Sequence, residues 1–165
     1  MPIAIVIMGV SGCGKSTVGR AMANKLPATF LDADDFHPPA NVERMRAGIA
    51  LTDAERAPWL EALATRLTQA RAANEPVVLA CSALKRSYRD ALRRGAPALT
   101  LVHLTGSPAL LAERISARPS HYMPPSLLAS QLATLETPAA DEHAITLDVA
   151  LPTEELVAAI LRAVP

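Results

Sequence analysis

Residues 7–17 read Ile7-Met8-Gly9-Val10-Ser11-Gly12-Cys13-Gly14-Lys15-Ser16-Thr17, and within them Gly9-x-x-x-x-Gly14-Lys15-Ser16 has the spacing of a phosphate-binding loop. The reason for that spacing is local. Glycines let the backbone turn with φ above zero and bring successive N–H groups round a phosphate, while the helix that follows points its positive end at the same anion. Lys15 then reaches the β and γ phosphates, and the Ser16 hydroxyl binds Mg²⁺. The context is the one this mechanism demands: the apolar run Ile3 to Met8 precedes the loop, and a helical segment, Thr17 to Lys25, follows it. Gly9, Val10, Ser11, Gly12, Cys13, Gly14, Lys15, Ser16 and Thr17 are therefore the candidate ligands of a nucleoside triphosphate. Cys13 occupies a variable position of the motif and is expected to contribute backbone alone.

Outward from the loop, the chain alternates. Apolar, β-branched runs at Ile3 to Met8, Thr29 to Leu31, Val77 to Ala80, Leu99 to Leu104 and Ala144 to Val149 are separated by segments of helical periodicity. That is the pattern of βαβ units on a buried parallel sheet, and it predicts an α/β fold of five strands in one domain over residues 1–165. Between the second and third runs lies an insert, about residues 36–75. In it Leu60, Leu63, Ala64 and Leu67 recur along one helical face. Its helix start has two readings, since Thr52 and Glu55 have capping-box spacing while Pro58 suits a first helical turn. Arg118-Pro119-Ser120-His121-Tyr122-Met123-Pro124-Pro125 combines turn chemistry with charge between two helical patterns, and a lid is expected there, about residues 117–126.

The whole chain narrows the choice of partner. Its 165 residues suffice to bury about two thirds of the unfolded surface. Sixteen basic residues balance sixteen acidic ones, so the net positive field of a nucleic-acid or anionic-membrane binder is missing and a small molecule is the expected partner. Cys13 and Cys81 make neither metal-ligand spacing nor a disulfide framework. The run Ile3 to Val10 is too short for a bilayer and lacks the features of a secretory signal, so the expected location is the cytoplasm.

The loop leaves the acceptor of the phosphoryl group open. A regulatory GTPase needs Asn-Lys-x-Asp, and the Asn24-Lys25 pair is followed by Leu26-Pro27. A motor ATPase places an acid at the end of a strongly apolar strand, whereas Val77-Val78-Leu79-Ala80 ends in Cys81-Ser82-Ala83. Phe30-Leu31-Asp32-Ala33-Asp34-Asp35 supplies carboxylates instead. If the strand persists, Asp32 and Asp34 share one face at the carboxyl edge of the sheet. One then holds Mg²⁺ through water and the other accepts a hydrogen bond from an attacking hydroxyl. The other reading is an acidic strand-to-helix turn with a capping Asp.

From Gly9 to Pro138 the chain resembles the small gluconokinases of the shikimate-kinase and adenylate-kinase group. The residues that carry the likeness are Gly9 to Ser16, Leu31-Asp32-Ala33-Asp34, His37-Pro38, Asn41, Arg44-Met45, Gly48 and Arg56-x-Pro58-Trp59-Leu60. It continues in Cys81-Ser82-Ala83-Leu84-Lys85, Tyr88-Arg89-Asp90 and Ser130-Gln131-Leu132 through Leu135-Glu136. Four positions depart from the family pattern: Ala33 for glycine, Arg44 for lysine, Ala50 for proline and Glu55 for aspartate. The resemblance implies the strand order 2-3-1-4-5, ATP and Mg²⁺ as cofactors, and phosphoryl transfer to the 6-hydroxyl of D-gluconate. It also implies a homodimer. A shikimate or other small-acid kinase, or a non-catalytic nucleotide-binding module, are the alternatives.

Gluconate is a linear monocarboxylate with five hydroxyls, so its pocket needs a cation and short polar groups. By its order in the chain Arg56 corresponds to the arginine that grips the acceptor carboxylate in shikimate kinases, with Lys85, Arg86 and Arg89 as further cations. His37 is either a hydroxyl ligand or a cap for the next helix, and Gln131 joins the acceptor set through the resemblance. Asp34 is assigned to the reacting hydroxyl and Asp32, with Ser16, to the metal. Arg114 and Arg118 lie at i and i+4 before the lid, Arg114 to cover adenine and Arg118 to face the transferring phosphate. Adenine is expected against the loop Asp148 to Pro152.

Overall fold

The computed structural model describes residues 2–117 and 126–165. Five short strands form one sheet: β1 (Ala4–Met8), β2 (Thr29–Asp32), β3 (Val77–Ala80), β4 (Thr100–Thr105) and β5 (Ile145–Asp148). Their order is β2-β3-β1-β4-β5, with every neighbouring pair parallel. The central strand β1 sets the register, with Ile5 opposite Val78 on one side and Thr100 on the other. β3 is buried along its whole length because helices cover both faces of the sheet, which is why its sequence is a continuous apolar run.

The helices are α1 (Lys15–Lys25), α2 (Pro39–Arg46), α3 (Asp53–Ala72), α4 (Arg86–Gly95), α5 (Pro108–Ser116), α6 (Ser126–Thr134) and α7 (Thr153–Ala163). α1 packs on β1, β2 and β3 with α7 beside it, while α3 and α4 pack on each other. The side chains of Leu63 and Leu67 on α3, Leu92 on α4, Met22 on α1 and Ile160 on α7 join the strands in one apolar core. A second, small cluster of Met45, Leu51 and Leu127 sits apart from it and ties α2 to α6.

The fold decides two local readings. α3 starts at a complete capping box: Glu55 N donates to Thr52 Oγ1 at 3.2 Å and Thr52 N donates to Glu55 Oε1 at 2.9 Å. Pro58 therefore lies inside the helix, beyond the first turn, where its missing N–H leaves the carbonyl of Ala54 without that helical bond. The second strand, by contrast, does not persist to Asp34. It ends at Asp32, and residues Ala33–Phe36 form a 3₁₀ turn whose N-cap is the Asp32 carboxylate. The expected lid at about 117–126 falls almost wholly outside the described residues.

Candidate active site

β1 delivers the chain into the phosphate loop, where Gly12 and Gly14 illustrate why the backbone calls for glycine. Gly12 has φ +83°, and a Cβ on it would stand 2.7 Å from the carbonyl of Leu111. Gly14 has φ +87° with nothing within 4 Å of a Cβ, so conformation alone excludes other side chains. Gly14 is also the N-cap of α1 and carries no side-chain cap, which leaves the first-turn N–H groups to an anion. Lys15 folds back over the loop, its Nζ donating to the carbonyl of Val10 at 3.2 Å and lying 3.9 Å from Cys13 Sγ. Cys13 and Cys81 are both buried, and burial pushes the Cys81 thiol up to about 12. Neither thiol is therefore a reactive group of the site.

The two aspartates are joined by the turn rather than by strand alternation. Asp32 Oδ1 accepts from the backbone N–H of Asp34 at 3.0 Å, and Asp32 Oδ2 accepts from the Ser16 hydroxyl at 3.2 Å. The capping reading of the acidic stretch is thus the one the structure shows, and the Asp32 carboxylate that caps the turn also meets the Ser16 hydroxyl. Asp34 lines a cavity with Lys15, Ser16, Asp32, Ser82 and Gln131, and it also lines an adjoining cavity with His37, Arg56 and Trp59. Ser82 and Gln131 border both. Gln131, on α6, reaches the phosphate loop directly: Ser11 N donates to its Oε1 at 2.6 Å and its Nε2 donates to Ser11 Oγ at 3.1 Å.

The second cavity has a polar wall built by the insert. His37 is no cap for α2, whose N-cap is Pro38 without a side-chain bond. Its ring stacks on Trp59 with centroids 4.2 Å apart at 14°, and its Nδ1 lies 3.3 Å from Asn41 Nδ2. Burial, then the nearby Arg56 charge, lowers its pKa to about 4, so the ring is neutral at pH 7. Trp59 Nε1 donates to the carbonyl of Ala33 at 2.7 Å, which links the stack to the Asp34 turn. Arg56 Nη1 donates to Tyr88 Oη at 2.8 Å, and the Tyr88 hydroxyl passes the network on to Asp53.

The other expected cations stand elsewhere. Lys85 Nζ is paired with Asp53 at 3.0 Å, and Arg86 Nη1 with Asp141 Oδ1 at 2.8 Å. Arg89 is buried, at 1% exposure. Its guanidinium grips Glu142 at 2.7 and 3.0 Å, and its Nη1 donates to the carbonyls of Ala83 and Leu84 at 2.9 and 3.2 Å. Arg89 thus braces the segment after β3, and neither Lys85 nor Arg89 lines the second cavity. Two departures from the family pattern meet in a single ion pair, Arg44 Nε to Glu55 Oε2 at 2.7 Å. An arginine and a glutamate here keep the opposite charges of the family's lysine and aspartate.

A third cavity, beside the phosphate loop, is bordered by Thr17, Arg114, Leu151 and Pro152. Arg114 Nη2 donates to the carbonyl of Val149 at 2.7 Å, fixing the guanidinium against the loop after β5. α5 ends at Ser116, and Arg118 lies outside the described residues. Asn41, Trp59, Tyr88, Ser82 and Leu127 are site-forming residues to which sequence reasoning gave no role. All but Leu127 lie in the short runs that carry the family likeness, which was their one signal.

The chain is similar to known proteins in both sequence and structure. A model of the AAA domain family matches residues 5–138. The chain is 50% identical over 144 residues to the gluconokinase of Gluconobacter oxydans (strain 621H), covering 87% of this chain and 81% of that one. The crystal structure of a gluconokinase from Sinorhizobium meliloti 1021 is similar at TM-score 0.87 and 49% identity, covering 99% of this chain and 94% of that one. An unliganded sugar kinase from Janibacter sp. HTCC2649 is similar at TM-score 0.94 and 44% identity, covering 98% and 94%.

Proposed function

The chain belongs to the gluconokinase family, and from that premise we propose how its residues carry out the ATP-dependent phosphorylation of gluconate. The observation that supports the division of labour is that Asp34 borders both the cavity at the phosphate loop and the cavity of the insert. A group in that position can touch the acceptor hydroxyl and lie beside the transferring phosphoryl at once. We assign the phosphates to the loop N–H groups of residues 9–17 and to Lys15, whose Nζ leaves the Val10 carbonyl for the β and γ oxygens. Arg114 and the loop after β5 take the adenine side. The 6-hydroxyl of gluconate is the reacting group, with Asp34 accepting its proton.

In the acceptor cavity Arg56 takes the carboxylate, while His37 and Gln131 take hydroxyls. Lys85 and Arg89 are left out, because their donors are engaged by Asp53 and by Glu142. Arg118 stays a proposal from the resemblance, as a second cation on the phosphoryl group opposite Lys15.

Ser16 and Asp32 fit Mg²⁺, since a hydroxyl and a carboxylate oxygen 3.2 Å apart are hard oxygen donors facing the phosphate cavity. When bound there, the ion neutralises phosphate charge. Asp32 also holds the 3₁₀ turn through Asp34 N, so the metal side and the acceptor side are positioned by one side chain. Among the described residues no helix is long and apolar enough to cross a membrane. We further propose a cytoplasmic homodimer, on the family likeness and the supply of ATP. The experiment is a coupled ADP assay over gluconate, shikimate and other small acids. Gluconate is expected to drive ADP formation, and a faster turnover with another acid overturns the acceptor assignment.

A further inference from the structure

We propose that Asn41 fixes the proton His37 offers to the acceptor, and thereby selects acceptors that present a lone pair there, a hydroxyl or keto oxygen, over those that present an ammonium or a methylene. The inference rests on the acceptor reading of His37 given above and adds to it a positioning residue and a rule of selectivity.

Asn41 is buried, at 6% exposure, and its carboxamide has one donor end and one acceptor end. Which end points where follows from its neighbour. Nδ2 lies 2.9 Å from the backbone carbonyl of Glu55, an oxygen that can only accept, so the atom there must be the nitrogen. The same Nδ2 lies 3.3 Å from His37 Nδ1 and has a second hydrogen to give. His37 Nδ1 therefore accepts. In a neutral imidazole the remaining proton then sits on Nε2.

The ring has little freedom to choose otherwise. Trp59 covers one face of it and is itself held by the Ala33 carbonyl, so the plane of the ring is fixed, and within that plane the Asn41 contact sets which edge carries Nδ1. Its Nδ1 edge is turned to Asn41, which leaves the Nε2 edge for the cavity that His37 borders with Asp34 and Arg56. An acceptor atom opposite Nε2–H must supply a lone pair. A hydroxyl that does so has its own proton directed elsewhere, and a keto oxygen serves as well. An ammonium has no lone pair to give, and a methylene leaves the N–H without a partner on the bound molecule.

The test begins with the unaltered full-length protein and needs no ligand. The chain has four histidines, so long-range ¹H–¹⁵N spectra at pH 7 resolve each imidazole, and the set that vanishes in His37→Gln belongs to His37. The expected form is neutral with the proton on Nε2, and a proton on Nδ1, or a cationic ring, overturns the proposal. Asn41→Asp replaces the donor by an acceptor and is expected to move the proton to Nδ1 in the same spectra. Kinetics then use gluconate analogues in which single hydroxyls are replaced in turn by keto oxygen, ammonium or hydrogen. At one position the unaltered enzyme is expected to prefer keto over ammonium by about tenfold or more in kcat/KM, on the scale of one unpaired buried donor. Asn41→Asp is expected to collapse that preference, and a preference that survives intact, or is absent at every position, overturns the selectivity. An unchanged gluconate KM in His37→Ala overturns the acceptor contact itself, a failure that the ligand-free spectra keep distinct from a failure of the proton lock.

Discussion

Asp34 and Asp32 sit two residues apart, yet their contacts give them separable roles. Asp32 spends one oxygen on the turn and the other on Ser16, whereas Asp34 borders the cavity of the insert. Asp34→Asn is expected to keep Mg-ATP affinity and lower turnover with gluconate by about 10²- to 10⁴-fold, the range of a lost general base. Asp32→Asn is expected instead to raise the Mg²⁺ concentration needed for half-maximal rate. Steady-state kinetics over Mg²⁺ and gluconate, with nucleotide binding measured apart, check both, and unchanged turnover in Asp34→Asn at saturating gluconate rules out its contact with the reacting hydroxyl. The phosphate loop and the acidic pair were legible in the sequence because their chemistry is local. The cations were legible only in part: Arg56 came first by its order in the chain, whereas Lys85, Arg86 and Arg89 could not be told apart from solvated helical residues. Only the fold shows that Arg89 is buried against Glu142 while Arg56 borders a cavity. The His37–Trp59 stack was hidden for the same reason, because it joins a turn to a helix that starts well downstream.

At the scale of elements, α3 was legible through its apolar face and its Thr52–Glu55 spacing, and the capping box prevailed over Pro58 because both of its bonds form. What spacing could not show is how α4 is held. Glu142, in the 3₁₀ turn Ala140–Glu142, accepts from Arg89 and from Arg93, and its side chain is 1% exposed. Chiefly the Arg89 hydrogen bonds, with help from the Ala139 N–H and Arg93, lower its pKa to about 2 from the ordinary 4.5. A depressed carboxylate contributes stability that is fully present above its unfolded value and is lost as pH falls through the folded one. Denaturation midpoints are therefore expected to decline between about pH 4.5 and pH 2, by roughly 3 kcal/mol if this group acts alone. Glu142→Gln is expected to remove that part of the slope and to destabilise the protein at pH 7 by about 3–5 kcal/mol, because Arg89 is left as a buried charge without its partner. A variant as stable as the parent at pH 7, with the acid slope unchanged, contradicts the brace. The same variant should loosen the Ala83 and Leu84 carbonyls that Arg89 holds, next to Ser82 in the site.

For the molecule as a whole, the alternation of apolar runs made a five-strand parallel sheet legible, but periodicity is silent on which strand neighbours which. The order came from the family likeness, since the same runs suit several doubly wound topologies. A long-range feature also escaped the sequence: apolar burial is divided between the main core and the cluster of Met45, Leu51 and Leu127, in which Leu127 comes from far along the chain. α6 belongs to both bodies, with Leu128 in the main core, Leu127 in the small cluster, and Gln131, one turn after Leu127, on Ser11 of the phosphate loop. One helix therefore ties the phosphate-loop motif to the insert, and the small cluster borders the cavity that we propose takes the acceptor, where Met45, Leu51 and Leu127 line it. Truncating Leu127 removes a contact from the small cluster rather than from the main core. Its cost in stability is expected near the low end for a buried leucine, about 2 kcal/mol. The effect on catalysis should be selective: with the insert no longer held to α6, water enters the acceptor cavity and Arg56 and His37 lose their fixed distance from Asp34. Leu127→Ala is thus expected to raise the gluconate KM about tenfold or more while the ATP KM stays within about twofold, because Lys15, Ser16 and the loop N–H groups are positioned by the main core. Thermal melts together with the two KM values decide it. Equal increases in both KM values point to general loosening, and a lowered melting temperature with an unchanged gluconate KM removes the cluster from the acceptor site.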